Sequence, residues 1–437
     1  MLKDYVAVIQ AGGKGTRMVE LTHDEIPKPM LLLNGKPMLQ WQIENIALYG
    51  VKEFYIIIGH LGEKVKEYFK DGSWLNVRIE YIEETQPLGS AGALFYLKDK
   101  VKCENFLLVF GDVMFELAWD KMVSFHEKCG ASATLLAHPN SHPFDSDILM
   151  MQENGRVIGI DGKNNVRRYW YENCVNAGIY ILKSHLLNGF EKPVKTDLEK
   201  DILTPLMETG QVYGYLTPEY VKDAGTPQRF ANVCKEQEKG VWSDRCLNNR
   251  QKCIFLDRDG TINQFRGLIS TEEEFELETE AAEAVRRINE SGYLAIVVTN
   301  QPVVARGMCE MEDVRRIHRK MQTLLGEKGA YLDAIVFCPH HPDKGFPEEN
   351  PAYKIPCNCR KPDIGMIQKM QERYNIDLTK SFMVGDSTVD IQTGRNAGLK
   401  TCLLMTGQAG KDKKFCVEAD YVAENLLEAV DIILKSV

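Results

Sequence analysis

At 437 residues, with 44% hydrophobic, 26% charged and 9% aromatic residues, the chain is too long for one ordinary core. Its composition is that of a soluble globular protein, and two domains are expected. A net charge of -9 excludes a general nucleic-acid binder, whose phosphate contacts show as a basic surplus. No window reaches the roughly 18 consecutive apolar residues of a membrane helix. The opening "MLKDYVAVIQAGG" leads straight into a glycine turn with no cleavage-like segment, so neither export nor a membrane is expected, and the expected location is cytoplasmic. Twelve cysteines in such a chain serve packing, metal binding or catalysis rather than disulfides; Cys103, Cys129 and Cys402 are assigned to the core. Composition leaves the oligomeric state open, a homo-oligomer included.

In chain order, "YVAVIQ", "MLQWQIENIALYG", "EFYIIIG", "EKVKEYF" and "NFLLVFGD" alternate strand and helix patterns, which predicts a mostly parallel sheet covered by helices over residues 1–240. The polar stretch 241–252, "VWSDRCLNNRQK", has no clear period and is read as a linker. From Cys253 the alternation restarts with "CIFLD", "EAAEAVRRINESG", "YLAIVVTN", "MEDVRRIHRKMQTLLGEKG" and "AIVFC". After an irregular stretch it resumes with "DIGMIQKMQERY", "SFMVGD" and "DIQTGRNAG", giving a second α/β domain over 253–437. The expected fold class is thus α/β with two Rossmann-like domains. Ligands of open parallel sheets bind beyond the carboxyl ends of the strands, so the residues just after each strand are the candidates.

In the first domain "AGGKGTR" brings Gly12, Gly13 and Gly15 after a strand, where bare backbone can approach a ligand and offer amides to phosphate oxygens. The spacing fits neither the dinucleotide nor the P-loop fingerprint. Arg17, and Lys28 in "IPKPML", place two cations beyond this turn, as a triphosphate requires. "ETQPLGSAGAL" is a second glycine-bearing loop opening a helix. Asp112 in "VFGDV" and Asp223 in "VKDAGTP" are two carboxylates of the kind that hold Mg²⁺ against phosphates. Individually each is more often a cap or turn residue.

Taken together, "AGGKGTR", "PKPM", "PLGSAGAL", "GD", "NAGIYIL" and "DAGTP" closely resemble the sugar-1-phosphate nucleotidyltransferases, over roughly residues 4–235. The resemblance implies a glycosyltransferase A-like sheet. It implies that Arg17 and Lys28 hold the nucleoside triphosphate, and that Gly12, Gly13, Gln86 and Gly89 line the nucleotide pocket. Lys163 would meet the sugar phosphate, Asn176, Gly178 and Glu199 would lie near the sugar, and Asp112 and Asp223 would carry Mg²⁺. Gln10 departs from the leucine that often precedes the A-G-G, and could touch the base.

In the second domain "FLDRDGTIN" delivers Asp257 and Asp259 side by side from a strand end, so that one can attack while the other manages protons. Thr299 and Asn300 follow a second strand, Lys361 comes from "CRKP", and Asp386 and Asp390 from "VGDSTVD". This ordered set resembles the haloacid dehalogenase-type phosphatases over about residues 253–435. By that similarity Asp257 becomes an aspartyl-phosphate and Asp259 is the general acid and base. Thr299, Asn300 and Lys361 would bind phosphoryl oxygens. Asp257, Asp386 and the backbone carbonyl of Asp259 would hold Mg²⁺, with Asp390 supporting that shell.

The segment "CPHHPDKGFPEENPAYKIPCNC" is too rich in Pro and Gly for regular structure and too long to be left unanchored. Cys338, His340, Cys357 and Cys359 supply a Cys₃His set suited to structural Zn²⁺, with His341 as an alternative ligand. This loop directly before "RKP" narrows the resemblance to the D-glycero-D-manno-heptose 1,7-bisphosphate 7-phosphatases and their histidinol-phosphatase relatives. Arg360 is then a second substrate-phosphate contact. Pro302 in "TNQPVVARG" and the "FRGL" stretch depart from the family pattern at positions bearing on substrate preference.

Removing the 7-phosphate from a heptose bisphosphate leaves a heptose 1-phosphate, the kind of acceptor the first domain would use. The resemblance therefore implies small-molecule substrates, GTP and a phosphorylated heptose, and a GDP-heptose product. The alternatives are a mannose 1-phosphate guanylyltransferase fused to a histidinol-phosphatase-like enzyme, and a catalytically silent scaffold that senses nucleotide sugars. Silent copies typically lose a metal carboxylate or the nucleophile, whereas Asp112, Asp223, Asp257, Asp259 and Asp386 are all present.

Overall fold

In the computed structural model, which describes residues 2–343, 345 and 348–436, the chain forms two compact units. The first comprises Met1–His138, Asp147–Gly162 and Cys174–Cys246, and the second Pro139–Ser146, Lys163–Asn173 and Leu247–Val437. Lys344, Phe346 and Pro347 of the expected metal loop lie outside the described residues.

The first unit is built on a sheet whose strands run, across the sheet, Val157–Asp161, Ile148–Met151, Val175–Lys183, Asn105–Phe110, Val6–Gln10, Glu53–Ile58 and Arg78–Glu83. Val6–Gln10 is parallel to both of its neighbours. Ala7 and Ile9 pack with Leu39, Ile43 and Ile46 of the helix Met38–Leu48. Val6 and Val8 pack with Leu94 and Leu97 on the other face. Burial on both faces is why this strand reads as a continuous apolar run rather than an alternating one. The loop expected to open a helix does so as a 3-10 helix, Gly92–Leu97.

The stretch read as a linker is structured at its start. Val241–Asp244 forms a helical turn with Val241 and Trp242 buried, and Trp242 stacks on Tyr220 at 5.0 Å. Buried Arg245 donates from Nε and Nη2 to the Pro218 carbonyl at 3.0 and 2.8 Å. Two apolar residues on so short a turn leave no periodicity to read.

The second unit carries a parallel sheet ordered Ala334–Cys338, Leu294–Asn300, Cys253–Leu256, Phe382–Gly385, Lys400–Leu404 and Tyr421–Ala423. Ile254 and Leu256 pack with Ala281, Val285 and Ile288 of the helix Ala281–Glu290. Two segments that the sequence places within the first domain belong to this unit. In one of them the Tyr171 and Asn173 amides donate to Thr323 Oγ1 and Gln322 Oε1, each at 3.0 Å, on the helix Met311–Glu327. In both units candidate residues such as Asp112 and Asp257 come just after strands, at the carboxyl ends. Among the described residues no helix is long and apolar enough to cross a membrane.

Candidate active sites

In the first unit, a pocket of about 440 Å³ is lined by the turn Gln10–Arg17, Lys28, Glu84, Leu88, Gly89 and Asp112, among others. Parallel pairing of Val6–Gln10 with Asn105–Phe110 brings the glycine turn and Asp112 to the same edge, with the Gly111 amide donating to the Gln10 carbonyl at 3.0 Å. Asp112 and Asp223 converge because Val113–Glu116 pairs antiparallel with Tyr220–Asp223, Asp223 opposite Val113. Lys28 Nζ lies 2.7 Å from Asp112 Oδ2, and Arg229 Nη1 lies 2.6 Å from Asp223 Oδ2. A Cβ at Gly225 would sit 2.5 Å from Asp223 Oδ1 and 3.1 Å from an Arg17 guanidinium nitrogen, so Arg17 closes the same cluster. Two carboxylates ringed by three cations fit a cation-bridged triphosphate: phosphate oxygens can take over the lysine and arginines while a divalent ion takes the acids.

Asn176 Nδ2 donates to Glu199 Oε1 at 3.2 Å and to Tyr180 Oη at 2.8 Å, and Tyr180 Oη donates to Glu199 Oε1 at 2.7 Å. Burial pushes the Glu199 carboxyl up. Gly178 sits between these strand residues with φ of 74°. Gln86 is exposed, and Lys163 is exposed on a segment of the second unit; neither is among the residues lining the pocket. Lys14 and Glu84 line it although the motif reading gave them no role.

In the second unit, Asp257, Asp386 and Asp390 bring one carboxylate oxygen each within 4.8 Å of one another. Lys361 Nζ is 2.9 Å from Asp257 Oδ1 and 2.5 Å from Asp390 Oδ1. Burial alone would depress Lys361, but Asp257 and Asp390 raise it. Burial pushes Asp386 up to about 8, with Asp257 and Asp390 adding repulsion, and Asp257 is raised by burial and by Asp390. One lysine does not balance three acids, so this donor set fits a divalent cation. A Cβ at Gly260 or Gly407 would collide with the Asp386 carboxylate, so both glycines keep that ligand seated.

Asp390 is held by Lys361 and by Ser387, whose amide and hydroxyl donate at 3.1 and 2.6 Å. Asn300 spends its side chain on the Lys361 backbone, accepting from its amide at 3.0 Å and donating to its carbonyl at 3.1 Å. Its side chain therefore fixes the Lys361 loop. Thr299 is buried at the end of the same strand.

The carboxylate of Asp259 receives a set of donors that the motif reading missed. Arg258, itself fully buried, donates from Nη2 at 2.8 and 3.0 Å to its two oxygens. Asn263 Nδ2 donates at 3.1 Å and Gln301 Nε2 at 2.8 Å. Arg258 Nη1 in turn donates to His318 Nε2 at 3.3 Å. The only sequence hint was Arg258 lying between two aspartates. Gln301→Leu should lower phosphate-release kcat about tenfold, since it removes one donor to the Asp259 carboxylate and leaves Asp257 in place. Steady-state assays of both activities check this, with nucleotidyl transfer unchanged.

Cys338, His340, Cys357 and Cys359 form the other metal-competent group. Cys338 Sγ lies 3.6 Å from Cys357 Sγ, 3.2 Å from Cys359 Sγ and 3.7 Å from His340 Nδ1. A tetrahedral site with Zn–S near 2.3 Å has edges of about 3.7 Å, so the set fits. His341 is not part of it: its Nδ1 accepts from the Asp343 amide at 3.2 Å. Arg360 Nη1 donates to the His340 carbonyl at 3.2 Å, tying the residue before Lys361 to this group.

A family model described as nucleotidyl transferase matches residues 6–240, more than half of the chain. One described as HAD-hydrolase-like matches 358–429. The D-glycero-beta-D-manno-heptose-1,7-bisphosphate 7-phosphatase of Rhodopseudomonas palustris is 39% identical over 150 residues, spanning 34% of this chain and 81% of its own. The chain belongs to the nucleotidyl transferase family and, in its C-terminal part, to the heptose-bisphosphate phosphatase family. The D-glycero-alpha-D-manno-heptose-1,7-bisphosphate 7-phosphatase of Photorhabdus laumondii is 36% identical over 158 residues, 36% of this chain and 84% of its own. The solved D,D-heptose 1,7-bisphosphate phosphatase of B. bronchiseptica, complexed with magnesium and phosphate, is 32% identical and covers 43% of this chain and 100% of its own, with a TM-score of 0.38. The protein is therefore both a nucleotidyltransferase and a phosphatase, of families that act on small-molecule nucleotides and sugar phosphates.

Proposed function

We propose that the chain removes the 7-phosphate from D-glycero-D-manno-heptose 1,7-bisphosphate and transfers GMP from GTP to the heptose 1-phosphate so formed, releasing pyrophosphate and GDP-heptose. The observation that carries this reading is the pairing, in one polypeptide, of a nucleotidyl transferase pocket with a phosphatase whose relatives bear the name of a bisphosphate. Dephosphorylation at position 7 leaves the 1-phosphate that a sugar-1-phosphate nucleotidyltransferase accepts. Relatives named for the alpha and the beta anomer stand at 36% and 39% identity, so both anomers enter the test below. The reactants are small cytoplasmic metabolites.

In the phosphatase, the Asp257 carboxylate attacks phosphorus while the bond to the sugar oxygen breaks and Asp259 gives that oxygen its proton. Asp259 then takes a proton from the water that attacks the aspartyl-phosphate, and inorganic phosphate leaves with Asp257 restored. Lys361, Thr299 and the Asn300 backbone hold the phosphoryl oxygens, and Arg360 contacts the substrate's other phosphate. In the transferase, an oxygen of the sugar 1-phosphate attacks the α-phosphorus of GTP in line, and the bond to the pyrophosphate bridge breaks. Arg17 and Lys28 balance the growing charge on pyrophosphate, Gly12, Gly13 and Gly89 receive the nucleoside, and Asn176, Gly178 and Glu199 receive the sugar phosphate. Mg²⁺ held by Asp112 and Asp223, and by Asp257, Asp386 and the Asp259 carbonyl, would supply charge neutralisation in the two sites.

Zn²⁺ at Cys338, His340, Cys357 and Cys359 is assigned a structural role. Cys357→Ser should lose about one zinc per chain by metal analysis and lower phosphatase turnover, because Cys359 directly precedes Arg360 and Lys361, while transfer persists. A full zinc complement in that variant would refute the ligand set. The substrate assignment is tested by incubating the protein with each anomer of the bisphosphate and each of GTP, ATP, UTP and CTP, and weighing the products. The reading expects a nucleotide-heptose with GTP alone; a product with another base, or release of the 1-phosphate, would refute it.

A further inference from the structure

The nucleotide pocket is electrically two-sided. On one side of the turn Gly15 packs on Lys28, a Cβ there falling 3.2 Å from the lysine Cβ, and Arg17 closes on Asp223. On the other, the Glu84 carboxylate lies against Gly12, where a Cβ would sit 2.5 Å from Oε2. Asp112, the other acid in the lining, is paired with Lys28. No ion pair joins Glu84 to a cation among the described residues; it accepts the Leu88 amide at 3.4 Å and has the Gln10 side chain beside it. Gln10 keeps Oε1 buried with no hydrogen-bond partner.

A triphosphate avoids an uncompensated carboxylate, so its phosphates belong on the Gly15–Lys28 side and its base on the Gly12–Glu84 side. What waits there is acceptors. A carboxylate accepts two adjacent N–H donors, and guanine presents such a pair, N1–H and the N2 amine. Adenine places a lone pair at N1 beside its amine, uracil flanks a single N–H with carbonyls, and cytosine places its amine beside a lone pair. We infer that Glu84, with Gln10 beside it, reads the N1–H and N2 amine of guanine and makes this transferase select GTP. The inference rests on the reading of the pocket as the GTP site and assigns the residues that discriminate.

The test is kcat/KM of the full chain with heptose 1-phosphate and GTP, ITP, ATP or UTP, for the unchanged protein and for Glu84→Gln, Glu84→Asp and Gln10→Leu. ITP keeps N1–H and lacks the N2 amine. The unchanged protein should prefer GTP over ITP by roughly 10- to 100-fold, the scale of a hydrogen bond to a charged group. Glu84→Gln should reduce that preference to within about threefold of unity. Gln10→Leu should weaken it severalfold, and Glu84→Asp, which withdraws the carboxylate by one methylene, should fall between. Phosphate release by the same polypeptides reports on intact protein. A GTP preference that survives Glu84→Gln and Gln10→Leu undiminished would overturn the inference while leaving GTP as the donor. An unchanged protein that uses UTP or ATP as well as GTP would overturn the donor assignment itself.

Discussion

Asp257→Asn will abolish phosphate release, with a loss on the order of 10⁴-fold or more, the scale expected when a covalent nucleophile is removed. Asparagine has the shape of aspartate, so the contacts of Asp257 with Lys361 and the Arg258 amide, at 2.9 and 2.7 Å, are conserved in outline. The substitution also removes one of three crowded carboxylates, so the fold should lose no stability, and a thermal melt checks this. Transfer from GTP to added heptose 1-phosphate should stay within about twofold, because Asp112, Arg17 and Lys28 belong to a different compact unit from Asp257. With the bisphosphate as the only sugar, the same variant should make no GDP-heptose. Loss of both activities from a folded variant would refute independent sites.

Asp112→Ala is expected to lower nucleotidyl transfer by on the order of a hundredfold or more, the cost of one oriented electrostatic stabiliser. Asp112 bonds Lys28 at 2.7 Å and stands on the strand end next to the Val113–Asp223 pairing. Removing it frees Lys28 for phosphate while leaving Asp223 without its companion acid. Nucleotide affinity should therefore change much less than kcat. Pyrophosphate release across a magnesium titration, run beside phosphate release from the bisphosphate, separates the two. Near-normal pyrophosphate release at ordinary magnesium would mean that the charge is balanced elsewhere.

The strands were legible in the sequence because those buried on both faces announce themselves as apolar runs, and the candidate residues were sought where those runs stop. Gly12 to Arg17, Asp112, Asp257, Asn300 and Asp386 lie at such strand ends. What stayed hidden depends on which way a side chain turns after the strand ends. The Asn300 side chain turns to the Lys361 backbone, which its place in a motif did not reveal. Arg258 looks like a surface arginine, yet is buried between Asp259 and His318, a placement set by a helix 60 residues away. Glu84 reads as one acid of a polar loop until parallel pairing of Glu53–Ile58 with Arg78–Glu83 brings it against Gly12. The turn Val241–Asp244 was too short to show a period, and the segments 139–146 and 163–173 join the second unit, the latter with the Tyr171 and Asn173 amides bonded to Thr323 and Gln322, which no local pattern announces.

In the proposed function one sugar passes through both reactions in a fixed order. The direct measurement is time-resolved mass spectrometry of the unchanged protein with heptose 1,7-bisphosphate, GTP and magnesium. Heptose 1-phosphate is expected first, then GDP-heptose, with inorganic phosphate and pyrophosphate ending in equal amounts. A nucleotide sugar that still carries the 7-phosphate, or pyrophosphate that accumulates ahead of phosphate, would contradict it.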